Sequence, residues 1–181
     1  MSASGDFEFM YPATWHAFGS DMVTVYDRMI GPTYPAVYKK IEFVPERDKQ
    51  YSEWNRDMDE DMKSYALRFA QYNQGPGELV NTQEGYLTGV HSQFYQVTTK
   101  TIDTNPAWGC EGEPCPDAPQ KNVEYLMVTT YIPQGDSVFT IRASIHGGAD
   151  SNPKIDAREE QEFIEAYQTI VSTFKLLKIG A

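Results

Sequence analysis

The sequence predicts an α+β fold: a mainly antiparallel β-sheet of about six to seven strands packed with two long helices. Three observations carry this expectation. Apolar residues alternate singly in several short stretches, and recur at three- and four-residue steps in two long ones. The strand-like stretches follow one another through turns instead of alternating with helices, the pattern of an antiparallel sheet. No glycine-rich strand-to-helix turn occurs, so a dinucleotide-binding or P-loop fold is not expected. With 181 residues, 40% of them apolar and 13% aromatic, the chain has the length and composition for one hydrophobic core, and residues 1–181 read as a single domain.

The elements follow in order. Phe7-Glu8-Phe9-Met10-Tyr11 alternates and stops at Pro12; Met22 to Ile30 is β-rich and stops at Gly31-Pro32; Val37, Lys39, Ile41 and Phe43 share one face of a run that ends at Pro45. The period then changes. From Ser52, read as an N-cap, Trp54, Met58, Met62, Tyr65, Phe69 and Tyr72 recur at helical spacing until Gln74-Gly75-Pro76-Gly77. This predicts an amphipathic helix of about five turns. Leu79 to Ile102 is β-rich and carries Gly85 and Gly89, which permit a hairpin or a bulge. The stretch 104–122 holds four prolines, two glycines and both cysteines, so it is expected as a long surface insertion. Val123 to Ile132 and Ser137 to Ile145 flank Pro133-Gln134-Gly135-Asp136 and predict a hairpin. The last element starts at Asp156, spaced as a cap three residues ahead of Glu159. Its stripe is Phe163, Ile164, Tyr167, Ile170, Val171 and Phe174, and Lys175 and Lys178 are placed to complement the helix dipole.

The two cysteines stand in Gly109-Cys110-Glu111-Gly112-Glu113-Pro114-Cys115-Pro116, close enough to bridge across a tight turn. A local disulfide between Cys110 and Cys115 is the expectation, with free thiols or a metal pair as the alternatives. Structural zinc wants four ligands and no histidine lies nearby in sequence. A bridge implies an oxidising compartment, hence a periplasmic, secreted or lipid-anchored protein whose targeting segment has been removed. No stretch has the length and apolarity to span a bilayer.

The opening Phe7-Glu8-Phe9-Met10-Tyr11-Pro12-Ala13-Thr14-Trp15 and the close Phe163 to Phe174, which ends Ile170-Val171-Ser172-Thr173-Phe174, resemble the first strand and terminal helix of the PsbP-like superfamily. That superfamily includes the photosystem II PsbP proteins and the DcrB-like and LpqN-like lipoproteins. The hairpin around Pro133 to Asp136 is similar to its penultimate sheet element. The resemblance implies a PsbP-like α/β/α sandwich and a mostly non-catalytic role, docking on membrane complexes or serving as a binding module. The cysteine insertion departs from the family pattern. Trp15 and Tyr11 have a plain structural reading as core anchors at a strand end.

Candidate chemistry is sparse. His16, His91 and His146 are far apart in sequence, and no H-E-x-x-H pair or G-x-S-x-G elbow occurs. His91 reads as a strand residue whose neighbour Ser92 points to the other face, so no nucleophile pair is expected there. Asp57, Asp59, Glu60 and Asp61 fan around a helix and read as a solvated face rather than a calcium loop. No catalytic residue, metal or cofactor is assigned. The binding candidates are Trp108, Glu111, Glu113 and Asp117, an aromatic anchor ringed by carboxylates on a constrained loop.

Fifteen basic against 26 acidic residues give a net charge of −11, which repels a phosphate backbone, so no nucleic-acid partner is expected. The leading expectation is a monomeric, extracytoplasmic binding or scaffold domain with a protein partner and tethering through a removed N-terminal lipid anchor. One alternative is an acidic chaperone or neutralising partner of a basic protein, steered by the net charge. The other is a small hydrolase-like enzyme that brings carboxylates, or His91 and His146, together in a cleft.

Overall fold

A computed structural model of the chain describes residues 7–18, 23–26, 38–44, 61–74, 77–103, 122–134, 137–147 and 154–177. Its elements are β1 (Phe7–Glu8), β2 (His16–Phe18), β3 (Val23–Tyr26), β4 (Tyr38–Val44), α1 (Met62–Gln74), β5 (Glu78–Leu87), β6 (Ser92–Asp103), β7 (Val123–Gln134), β8 (Ser137–His146), α2 (Ala157–Thr173) and β9 (Lys175–Leu176). Seven strands form one sheet in the order β2-β3-β4-β8-β7-β6-β5, and β1 pairs with β9 in a separate ribbon. Every pairing is antiparallel. The α+β class with two helices is as the sequence predicts.

The centre of the sheet is the β7–β8 hairpin, in register from Tyr125↔His146 to Gln134↔Ser137. Side chains alternate across a strand, so neighbours in sequence serve different faces. Leu126, Val128 and Ile132 of β7, with Ile141, Ala143 and Ile145 of β8, join Phe163, Tyr167, Ile170 and Val171 of α2 in the larger core. Tyr131 of β7, Val97 of β6 and Val138 of β8 join Met62, Tyr65, Ala66 and Ala70 of α1 in a second cluster. The residues that meet α1 have the opposite parity on β7 and β8 from those that meet α2, so the two helices cover opposite faces.

Helix α2 starts where the sequence predicts. Asp156 has extended backbone, and its carboxylate accepts the Arg158 N–H at 2.9 Å, satisfying one of the donors a helix start leaves open. Inside the core, Tyr167 donates to the Ile141 carbonyl at 3.0 Å and sits 2.6 Å from the Thr130 hydroxyl, which donates to Gln96 Oε1 at 3.2 Å. This chain of polar groups ties helix to sheet where burial would otherwise strand each of them. Burial also pushes the Tyr167 hydroxyl pKa up, so it stays a neutral donor.

Several expectations need correction. Helix α1 begins at Met62 and does not run unbroken from Ser52. Asp61 is its cap, accepting the Ser64 N–H on its carboxylate at 2.7 Å and the Tyr65 N–H on its carbonyl at 3.0 Å. Ser52, Trp54 and Met58 lie outside the described residues. Lys175 belongs to β9, where it pairs with Glu8 at 3.3 Å, because Phe174 turns extended and ends the helix; Lys178 lies outside the described residues. His91 sits in the β5–β6 turn with φ 52°, not in a strand. Strand β2, and the β1–β9 ribbon as a body apart from the main sheet, were not anticipated.

Two glycines are required by close approach. The ring of Phe94 lies across Gly85, where a Cβ would meet Phe94 Cε1 at 2.7 Å, and a Cβ on Gly89 would meet the Phe174 carbonyl at 2.5 Å. The second contact locks the β5–β6 turn against the end of α2.

Candidate functional site

Among the described residues, strand β5 is the last strand of the main sheet, and from Glu78 to Glu84 every residue is exposed. Among them, too, that stretch has neither face covered. Three large apolar side chains stand on it, Leu79, Val80 and Tyr86, the last 59% exposed, and Ile102 on neighbouring β6 is 67% exposed. The ladder to β6 slips between Leu79 and Asn81, which makes Val80 a bulged residue, and then runs in regular register from Asn81 to Leu87. An edge strand presents unpaired N–H and C=O groups on its outer side; a bulge blunts one end of that row.

Helix α1 packs on β6 and β7 and stops short of covering β5. Between the helix and the edge lies a cavity of about 110 Å³, with Lys63 and Leu67 on the helix side, Thr82 and Glu84 on β5, and Tyr95 and Val97 on β6. Thr82 and Glu84 stand opposite Val97 and Tyr95 in the ladder, on the face that α1 shares. The Ser64 N–H and hydroxyl, together with Lys63, hold the Asp61 carboxyl below its ordinary pKa.

A second surface forms at the start of the chain. Phe7, Phe9 and Tyr11 run outward from the core with ring centroids 6.0 and 5.9 Å apart. A turn closed by the Trp15 N–H donating to the Pro12 carbonyl at 2.9 Å brings Trp15 alongside. Tyr11 and Trp15 pack partly buried on the core, which is the anchoring role the sequence suggests. Met10 stays 63% exposed beside them, and the shallow, open concavity there is lined by Phe9, Met10, Tyr11, Ala13 and Trp15.

The charged cluster of the fold lies at the other end of the sheet. Lys100 Nζ reaches Glu124 Oε1 at 3.1 Å and Glu160 Oε2 at 3.3 Å, while Glu124 Oε2 accepts the Ile155 N–H at 2.8 Å. Partial burial works to raise the Glu124 carboxyl pKa, but the Ile155 N–H and then Lys100 outweigh it and hold it below its ordinary value. Burial likewise works to lower Lys100, and the two glutamates outweigh it and raise it. The cluster pins the start of α2 to β6 and β7. Nothing in the sequence pointed to it, because residues 100, 124 and 160 share no motif and meet only through the fold.

His91 and His146 do not converge. Ser92, next to His91, donates to the Pro133 carbonyl at 2.7 Å, whereas His146 stacks on Tyr125 with ring centroids 6.0 Å apart. Eight residues of β7 separate those two points, roughly 27 Å of strand. His91 and His146 therefore share no cleft. Trp108, Cys110, Glu111, Glu113, Cys115 and Asp117 all lie outside the described residues. Among the described residues no group of three or more His, Cys, Asp or Glu side chains is placed to hold a metal ion, and no helix is long and apolar enough to cross a membrane.

Of these features, the exposed edge had a faint signal in the sequence. Asn81-Thr82-Gln83-Glu84 is polar at both parities, as only a strand with neither face covered allows. The cavity beside it had none, because α1 reaches it from a separate stretch of chain.

No protein-family model matches the chain, and no curated protein matches it. Among solved structures, a crystal structure from Bacteroides thetaiotaomicron is similar at 13% identity and a TM-score of 0.42, covering 99% of this chain and 48% of that one. The chain thus spans about half the length of that protein.

Proposed function

We propose that this chain is a non-enzymatic binding or scaffold domain of PsbP-like type that acts outside the cytoplasm by docking on a protein partner or a membrane complex. The observation that carries the reading is the β5 edge: seven successive residues, Glu78 to Glu84, that the described residues leave exposed on both faces, with Leu79 and Val80 among them and Tyr86 exposed further along the strand. Exposed apolar side chains on an edge strand with an open backbone row mark an interaction surface. The finer fold in this reading is the α/β/α sandwich that the resemblance implies, with one helix on each face of the sheet. The titratable cluster around Lys100 supports the reading too, since its groups are consumed in joining helix to sheet.

The same reading includes a Cys110–Cys115 bridge, Trp108, Glu111, Glu113 and Asp117 as a second contact, and a monomer tethered to a membrane by a lipid anchor. It requires no cofactor. The net charge of −11 also favours a basic partner, whose association rate would fall as salt screens the attraction.

The test is photo-crosslinking in cells with a crosslinking amino acid placed at position 86 or 108. The expected result is one discrete adduct, removed by excess unlabelled protein. Absence of any competable adduct at either position contradicts docking. Alkylation of Cys110 and Cys115 before any reductant is added contradicts the bridge, and with it the oxidising compartment.

A further inference from the structure

We propose that the β5 edge takes an extended peptide segment carrying a lysine or arginine, which adds to the sheet as its next strand and places that basic side chain in the cavity beside Glu84. This rests on reading the chain as a binding domain, and says how it binds and to what.

Four features of the fold converge. From Asn81 to Leu87 the edge is free of register shifts, so seven residues offer alternate N–H and C=O groups to a new strand, the bulge at Val80 marking one end of the row. Among the described residues, helix α1 rests on β6 and β7 and no element lies beyond β5, which leaves room for a further strand without displacing the helix. The cavity, about 110 Å³, is far below the ~300–1,000 Å³ of small-molecule sites, but suits one long side chain. Its walls are divided as a lysine or arginine requires: Leu67 and Tyr95 for the methylene stem, Glu84 for the charged head.

Charge selects the occupant. Glu84 is exposed and makes no ion pair among the described residues; Lys63 lines the helix side of the same cavity, so an incoming cationic head must seat on the strand side, at Glu84. Glu78 adds a second exposed carboxylate on the same strand, and the net charge of −11 attracts cationic segments at long range. A second copy of this chain brings the same net charge and the same glutamates, and is disfavoured for that reason.

The experiment titrates the full chain, labelled for amide NMR, with an eight-residue acetylated and amidated peptide of alternating valine and threonine with one central lysine, and with its twin carrying glutamate instead. The lysine peptide is expected to shift the amides of Asn81 to Leu87 and to bind about tenfold more tightly than its twin. Glu84→Gln should abolish the preference and Glu84→Lys should reverse it, each with a spectrum otherwise unchanged because Glu84 is exposed. Shifts centred elsewhere, a preference that survives Glu84→Lys, or concentration-dependent self-association through β5 overturns the proposal. If the position-86 adduct persists while the peptide leaves β5 untouched, strand addition fails and docking stands. If the adduct and the β5 shifts are both missing, the reading beneath it fails as well.

Discussion

The two helices do unequal work on the same sheet. Helix α2 buries Phe163, Tyr167, Ile170 and Val171 against the middle strands and adds a hydrogen-bonded tyrosine and an ion-paired start. Helix α1 buries Met62, Tyr65, Ala66 and Ala70, two of them alanines, and leaves Glu78 to Glu84 of β5 exposed. The α2 half is the more densely packed of the two, and in the proposed reading the half with spare surface is where a partner docks. Binding surfaces need exposed apolar groups and unpaired backbone, and both cost stability, so they sit at the sheet's margin and not at its centre.

Substitutions can break this contrast, and the largest effect belongs to the scaffold. Phe163→Ala removes a fully buried ring and is expected to cost about 3–5 kcal/mol, whereas Met62→Ala at the start of α1 should cost nearer 2 kcal/mol. Denaturant titration of both decides it, and an equal or larger loss at Met62 would erase the asymmetry. Tyr167→Phe is next, at about 1–3 kcal/mol, because the Ile141 carbonyl loses its buried donor.

Gly89→Ala forces a methyl onto the Phe174 carbonyl, and Gly85→Ala presses one onto the Phe94 ring. A ring edge yields more readily than backbone, so of these two the Gly89 variant should lose more, about 1–3 kcal/mol by thermal melting. The reverse order would mean that the turn is not locked to the end of α2.

The cluster at Lys100 gives a smaller, pH-dependent effect. Glu124 is held below its ordinary pKa of 4.5, so its contribution is full above that value and is lost as pH falls through the lowered folded value. Lys100 is held above 10.5, so its contribution is full below that value and is lost as pH rises through the raised one. Glu124→Gln should cost about 1 kcal/mol near neutrality and progressively less in acid. A cost that does not change with pH would contradict the ion-pair account. Smallest of all, Tyr86→Thr should leave stability within about 0.5 kcal/mol while weakening partner capture.

What the sequence disclosed follows the same division. The β7–β8 hairpin, the Asp156 cap and the α2 stripe were legible, because there local pattern and tertiary packing point the same way. The start of α1 was not. Tyr65 and Phe69 continue a helical rhythm set by Trp54 and Met58, so periodicity alone ran through Asp61, whose capping role depends on the backbone turning there. The length of β1 is hidden for a related reason: Phe9 and Tyr11 keep the alternation of Phe7, yet pairing with β9 stops at Glu8. The groove beside β5 was out of reach because it is assembled from Leu67, Glu84 and Tyr95, which no spacing rule connects.

Amide hydrogen exchange on the intact chain, with and without the lysine peptide, tests the division of labour most directly. The account predicts slowest exchange in β7, β8 and α2, much faster exchange from Asn81 to Leu87, and new protection confined to those β5 amides when the peptide is present. Protection of β5 equal to that of β7 in the free protein, or peptide-induced protection at the centre of the sheet, would contradict it.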